Sequence, residues 1–159
     1  MRRSNTGRTR LRTAVAAAIL CILCGGGIAN AQGLILPKLS LTPGVFNYDV
    51  KQSTITTTIC KSGWTKTIRP PTSYTNALKL QQMQQYGETG PASNYEEDHL
   101  IPLELGGAPK NPKNLWPEPH SQSRHSDPYE TSLKRQACNG SLTLKMARQQ
   151  IRQYKRTKG

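Results

Sequence analysis

Long apolar runs are almost missing from this sequence. The longest, from Thr13 to Ala29, has 17 residues and is broken by Gly25-Gly26-Gly27. That is at the lower edge of the ~17–25 residues a spanning helix needs, so a membrane anchor is disfavoured. No small residue stands just before Cys21 or Cys24, which argues against a lipoprotein site. Acidic residues are scarce too, nine against 22 Lys and Arg, and the first twelve residues, MRRSNTGRTRLR, carry five arginines and no acid. A basic start, a short apolar run and Ala29-Asn30-Ala31 predict a secretory signal peptide over 1–31, cut before Gln32. The mature chain is then secreted or periplasmic, 128 residues long, with 17 basic and nine acidic groups for a net +8. It is expected to be one domain, monomeric, with no transmembrane helix and no obligate protein partner. Its charge favours a polyanionic partner such as nucleic acid, anionic lipid or acidic glycan, without selecting among them.

Cysteine is the next scarcity. Only Cys60 and Cys138 survive removal of the signal, and no CxxC pair is left to suggest a metal site. Two cysteines 78 residues apart in an exported chain predict one disulfide, worth ~4 kcal/mol by loop-closure entropy. No internal repeat is visible.

What is present reads as α+β. Residues 32–51 are a loosely ordered lead-in, and a single domain covers 52–159. QSTITTTICKSGWTKTIRP is rich in Thr and Ile around Ser62-Gly63, which predicts a hairpin over 53–60 and 64–69. A helix follows over 73–87, with Thr75 as N-cap, Leu78, Leu80, Met83 and Tyr86 partly on one face, and Gly87 as its stop. YEEDHLIPLELGG has strand character, Gly106-Gly107 turns the chain, and Asn114-Leu115-Trp116 resumes an extended path. DPYETSLKRQACNG predicts a helix with Asp127 at N-cap, Pro128 at N1 and Glu130 completing a capping box, ended by Asn139-Gly140. A last helix starts near Thr143, with Leu144, Ala147 and Ile151 inward and Arg148, Arg152, Lys155 and Arg156 clustered elsewhere.

Asp98-His99, Ile101-Pro102-Leu103, Gly106-Gly107 and Asn114-Leu115 resemble the DH…PL…GG…NL signature of HNH endonucleases. More narrowly, YEEDHLIPLELGG, NLWPEP and TICKSGWTKTIRPP resemble a group of small exported bacterial proteins with an HNH-like core, a likeness covering most of 52–155. The resemblance implies a ββα metal finger at about 95–137 and metal-dependent hydrolysis of phosphodiesters, in DNA or RNA, with DNA favoured. His99 is then the general base that polarises water. Asp98 holds a divalent cation, Mg²⁺ first, with Mn²⁺, Zn²⁺ or Ca²⁺ left open. Asn114 is expected to accept a hydrogen bond from the imidazole and fix its tautomer.

One departure complicates this. The second ligand of the family falls on Ser123, a poor donor. His120, His125, Asp127 and Glu130 are the nearby candidates, the two carboxylates suiting Mg²⁺ or Ca²⁺. Glu96 and Glu97 read as a solvated strand end. The basic helix, with Lys145, Arg148, Arg152, Lys155 and Arg156, is expected to grip phosphates without reading bases. The alternative keeps the fold without catalysis, as a secreted nucleic-acid-binding or envelope-associated module.

Overall fold

The structure is a computed structural model that describes residue 1 and residues 34–159. The expected signal peptide and its cleavage point, with Cys21 and Cys24, lie outside the described residues. Among these residues the regular elements are α1 (Trp64–Ile68), α2 (Thr72–Tyr86), β1 (Tyr95–His99), β2 (Leu115–Pro119), α3 (His120–Cys138) and α4 (Leu144–Lys158). The result is a small α+β domain: one antiparallel two-stranded hairpin with helices packed around it. No helix among the described residues is long and apolar enough to cross a membrane.

The strands pair from Tyr95 opposite Pro119 to His99 opposite Leu115. Their link, 100–114, is held by two short 3₁₀ turns, and Gly106 turns it at φ +74°, the left-handed region that glycine enters without penalty. Gly107 has no room for a side chain, because a Cβ there would fall 1.7 Å from the Ile101 carbonyl oxygen. Tyr95, Leu100 and Trp116 of the hairpin join Met83 and Tyr86 of α2 in one apolar cluster. Ile101 and Leu105 of the link join Leu133 and Ala137 of α3 and Ala147 and Ile151 of α4 in another.

The predicted hairpin over 53–60 and 64–69 does not form. Gln52–Thr54 is a 3₁₀ turn, the chain turns on to Cys60, and 64–68 is helical. The threonines explain it. Thr54 Oγ1 donates to the Asp49 carbonyl, Thr57 and Thr58 to that of Thr54, and Thr67 to that of Trp64. Such local side-chain bonds offer the backbone an alternative to a ladder. Cys60 and Cys138 are disulfide-bonded, as expected, which fixes this segment to the end of α3.

The lead-in also differs from expectation. Ile35 exchanges two hydrogen bonds with the side chain of Gln122, Thr42 is fully buried, and Phe46 bridges to Gly107. Residues 34–50 pack against the domain through Ile35, Thr42, Phe46 and Val50, while Leu34, Leu39 and Tyr48 stay exposed.

Helix α2 starts one residue before the prediction, without Thr75 as cap, and Gly87 ends it at φ +76°. Leu78, Met83 and Tyr86 are buried, whereas Leu80 is exposed. Helix α3 begins at His120, seven residues before Asp127. Asp127 is therefore no N-cap, and Pro128 sits inside the helix. Helix α4 is capped by Thr143, whose hydroxyl accepts from the Met146 N–H. Its inner face runs Leu144, Ala147, Ile151 and then Lys155, which is fully buried and so does not belong to the outward basic cluster.

Candidate functional site

The end of β1 opens on a cleft of about 360 Å³ lined by Arg69, Glu96, Asp98, His99, Asp127 and Glu130, among others. A neighbouring groove of about 370 Å³ shares Arg69, Glu96 and His99 and adds Lys79. His99 therefore lies where the two depressions meet. Asp98 and His99 serve one cleft although neighbouring strand residues alternate faces, because the strand ends there.

His99 is only 5% exposed. Its Nε2 is 3.0 Å from the carbonyl oxygen of Pro109. A carbonyl only accepts, so Nε2 carries the proton and a neutral ring leaves Nδ1 as a bare lone pair. Burial is the main force lowering the imidazole pKa, partly opposed by Asp98 and the Pro109 bond. The neutral form is thus favoured near pH 7. Nδ1 has no hydrogen-bond partner among the described residues and is not one of the buried unpaired atoms. It therefore keeps some contact with solvent, in a residue that lines the cleft.

Asn114 is fully buried but does not touch the imidazole, contrary to expectation. Its Oδ1 accepts from the N–H groups of Ile101 and Val45, and its Nδ2 donates to the carbonyls of Ile101 and Ala108. All four bonding positions of the amide are used. Asn114 pins the link at Ala108, next to the Pro109 carbonyl that holds His99. It orients the histidine through the backbone.

Behind Asp98 lies a group of charges that the sequence reading did not assemble. Lys155 Nζ, with no exposed surface, donates to Asp98 and to the His99 carbonyl at 3.2 Å. It also lies 2.5 Å from Glu130 Oε1 and 3.5 Å from Glu118 Oε2. Burial works against ionisation of Asp98, yet the ammonium beside it holds its pKa down to about 2. Burial, then the nearby Asp98 charge, pushes Glu118 up to about 10, so its carboxyl is protonated at neutral pH. Burial likewise raises Glu130 to about 8, against the pull of Lys155. Burial opposes the Lys155 charge, but Asp98, Glu130 and Glu118 together raise its pKa well above the usual value.

The other predicted ligands scatter. His125 is exposed on α3 and is not among the cleft-lining residues. Ser123 is buried and donates to the His120 carbonyl. Asp127 lines the cleft, with its pKa raised by burial first and then by Asp98 and Glu96. Glu97 is not solvated: both of its carboxylate oxygens are buried without a partner.

The metal implied by the resemblance needs Asp98 and a second donor converging on one point. Asp98, Glu118 and Glu130 are all gathered on the Lys155 ammonium, and no group of three His, Cys, Asp or Glu side chains among the described residues is left open to hold an ion. This donor arrangement does not fit a metal centre.

On α4, Arg148 donates to the carbonyls of Leu105, Val50 and Gly106 and lies over the Phe46 ring, which Arg152 also covers. Arg156 donates to the Pro43 carbonyl. Lys145 is exposed.

Arg69 and Glu118 are the site residues that sequence reasoning missed, and Lys155, expected among the outward phosphate-gripping cations, is instead buried beside Asp98. A signal existed for Lys155: it lies four residues after the inward Ile151, on the same helical stripe. Nothing comparable marked Arg69, which reaches the cleft from the end of α1. No family model, curated protein or solved structure matches the chain.

Proposed function

We propose that this chain is an exported phosphodiesterase of the HNH type, acting on nucleic acid, with the cleft at His99 as its active centre. The β1–link–β2–α3 succession is, on this reading, the ββα finger. The observation that carries the proposal is the state of His99: a neutral imidazole with one nitrogen tied to a backbone carbonyl and the other open to a polar cleft beside an arginine. That is the arrangement a general base requires.

His99 Nδ1 takes a proton from the attacking water as its oxygen bonds to phosphorus, the bond to the leaving oxygen breaks, and that oxygen takes its proton from a second water in the open cleft. Arg69 meets the non-bridging phosphate oxygens, where charge develops. Asn114 keeps the Pro109 carbonyl in place and with it the ring orientation. No step is assigned to a metal.

The test is cleavage of a plasmid and of a single-stranded RNA by the mature chain, with and without Mg²⁺. His99→Ala is expected to lower the rate ~10²–10⁴-fold, and Arg69→Ala ~10²–10³-fold, with thermal unfolding little changed for Arg69→Ala. Equal cutting by wild type and His99→Ala would refute the proposal. A second reading, the same fold used for binding without catalysis, is favoured by one feature: Asp98 is committed to Lys155. Nucleic acid bound but never cut, under every condition tried, would establish it.

A further inference from the structure

From the geometry around its ammonium, we infer that Lys155 is a resident cation, standing where oxygen ligands would otherwise hold a divalent ion, so that the cleft is complete without metal. The inference uses the phosphodiesterase reading only for its catalytic consequence. Its structural part stands alone.

Four oxygen ligands converge on one point. Asp98 comes from β1, Glu118 from β2 and Glu130 from α3, and the fourth is the carbonyl of His99. Carboxylate and carbonyl oxygens are the hard donors that Mg²⁺ and Ca²⁺ select. They are equally the acceptors of an ammonium with three N–H bonds. Asp98, ionised and largely buried, needs a positive charge beside it, and the other two carboxyl groups add acceptors around the same ammonium. The chain supplies it from α4, at the end of the inward stripe Leu144, Ala147, Ile151, Lys155.

A covalently delivered ammonium differs from a metal in what it can do. It cannot be chelated or exchanged, and it offers no open coordination position to a phosphate. Being fully buried, Lys155 does not reach the cleft and is a positioning residue. It holds Asp98 ionised at the cleft wall and fixes the backbone of His99 through its carbonyl. It also locks α4 onto the hairpin. A divalent ion could enter this cage only by expelling the side chain.

The experiment uses the mature chain and reads metal binding and stability, not cutting. Mn²⁺ binding is followed by paramagnetic resonance, and thermal unfolding is measured with Mn²⁺, with Mg²⁺ and with EDTA. Wild type is expected to bind Mn²⁺ no tighter than ~1 mM, and its unfolding midpoint is expected not to move with EDTA. Lys155→Ala empties the cage. It is expected to unfold earlier, to bind one Mn²⁺ per chain and to recover part of the lost midpoint. Lys155→Met removes the charge but fills the space, and is expected to unfold earlier with no gain from Mn²⁺.

Tight stoichiometric Mn²⁺ binding by wild type would overturn the inference, whether or not either variant folds. So would a Lys155→Ala chain that Mn²⁺ neither binds nor stabilises. Cutting by wild type that EDTA abolishes would overturn it while leaving the phosphodiesterase reading intact. A wild type that cuts nothing removes that reading and leaves the Mn²⁺ results to decide the cage.

Discussion

Two sides of this domain carry opposite charge and treat it in opposite ways. On the cleft side, Glu96, Asp98, Asp127 and Glu130 face a shared space, and burial first, then the neighbouring Asp98 and Glu96, raises the pKa of Asp127. On the outer side of α4, the arginines are spent on the protein itself: Arg148 on three backbone carbonyls, Arg152 on the Phe46 ring and Arg156 on the Pro43 carbonyl. A side rich in basic residues is therefore not the same as a side free to bind phosphate. Unfilled bonding capacity sits at the cleft, in the His99 Nδ1 lone pair and the Arg69 guanidinium. Counting lysines and arginines along a helix does not show which of them are already engaged by the protein itself.

The largest expected effect outside the cleft comes from Arg148. Replacing it with alanine leaves the carbonyls of Leu105, Val50 and Gly106 without their donor and uncovers Phe46. Lost charged hydrogen bonds and a lost cation–π contact together predict a stability loss of about 2–4 kcal/mol. Urea unfolding measures it. If Arg148→Ala unfolds like wild type but binds nucleic acid much more weakly, the contrast between the two sides collapses, and Arg148 is a phosphate contact after all.

How legible this was depended on whether the inner face of each element was apolar. Helix α4 was placed from Thr143, Leu144, Ala147 and Ile151, since its cap and apolar spacing agree with each other. The first half of α3 was missed because its buried stripe is Gln122, Ser126 and Glu130, which has helical spacing but no hydrophobicity, and because Pro128 reads as a helix start. The Thr/Ile run before Cys60 looked like strand because β-branched residues favour strands, yet its hydroxyls bond to their own backbone. Asp98 and His99 stand out only through the ordered DH…PL…GG…NL elements, since an Asp-His pair by itself reads as a solvated surface pair. Lys155 reads as one of an outward basic cluster and Glu118 does not stand out at all, for a buried lysine looks like a surface one until its neighbours are known. Asn114 does not make the expected bond to the imidazole, and an amide that ties four backbone groups leaves no trace in spacing.

A smaller effect sharpens the cleft side. Glu97 is buried with both oxygens unpartnered, and burial, then Asp98, raises its pKa from 4.5 to about 8. The folded state therefore holds this proton more tightly than the unfolded state does. The stability it contributes is fully present below pH 4.5 and is lost as pH rises through about 8. Glu97→Gln cannot lose it. The variant should match wild type near pH 4.5 and exceed it above pH 8, by on the order of 2 kcal/mol after allowing for partial exposure. Unfolding midpoints measured across that range decide the matter. Parallel pH curves for the two proteins would mean that Glu97 finds a partner in solution, and that the cleft side is better neutralised than its geometry indicates.

The smallest effect tests what remains of the basic side. With its arginines engaged, the free cations on α4 include Lys145 and Lys158, both exposed. A backbone contact is worth little singly and shows itself in salt dependence, each phosphate-binding lysine adding about one to the slope of log affinity against log salt. The double variant Lys145→Gln, Lys158→Gln should weaken binding to a DNA duplex only several-fold and reduce that slope by about two, without altering sequence preference or stability. An unchanged slope would remove α4 from the interface entirely. The nucleic acid would then be held by the groove that joins the cleft at His99, where Arg69 and Lys79 are the cations within reach.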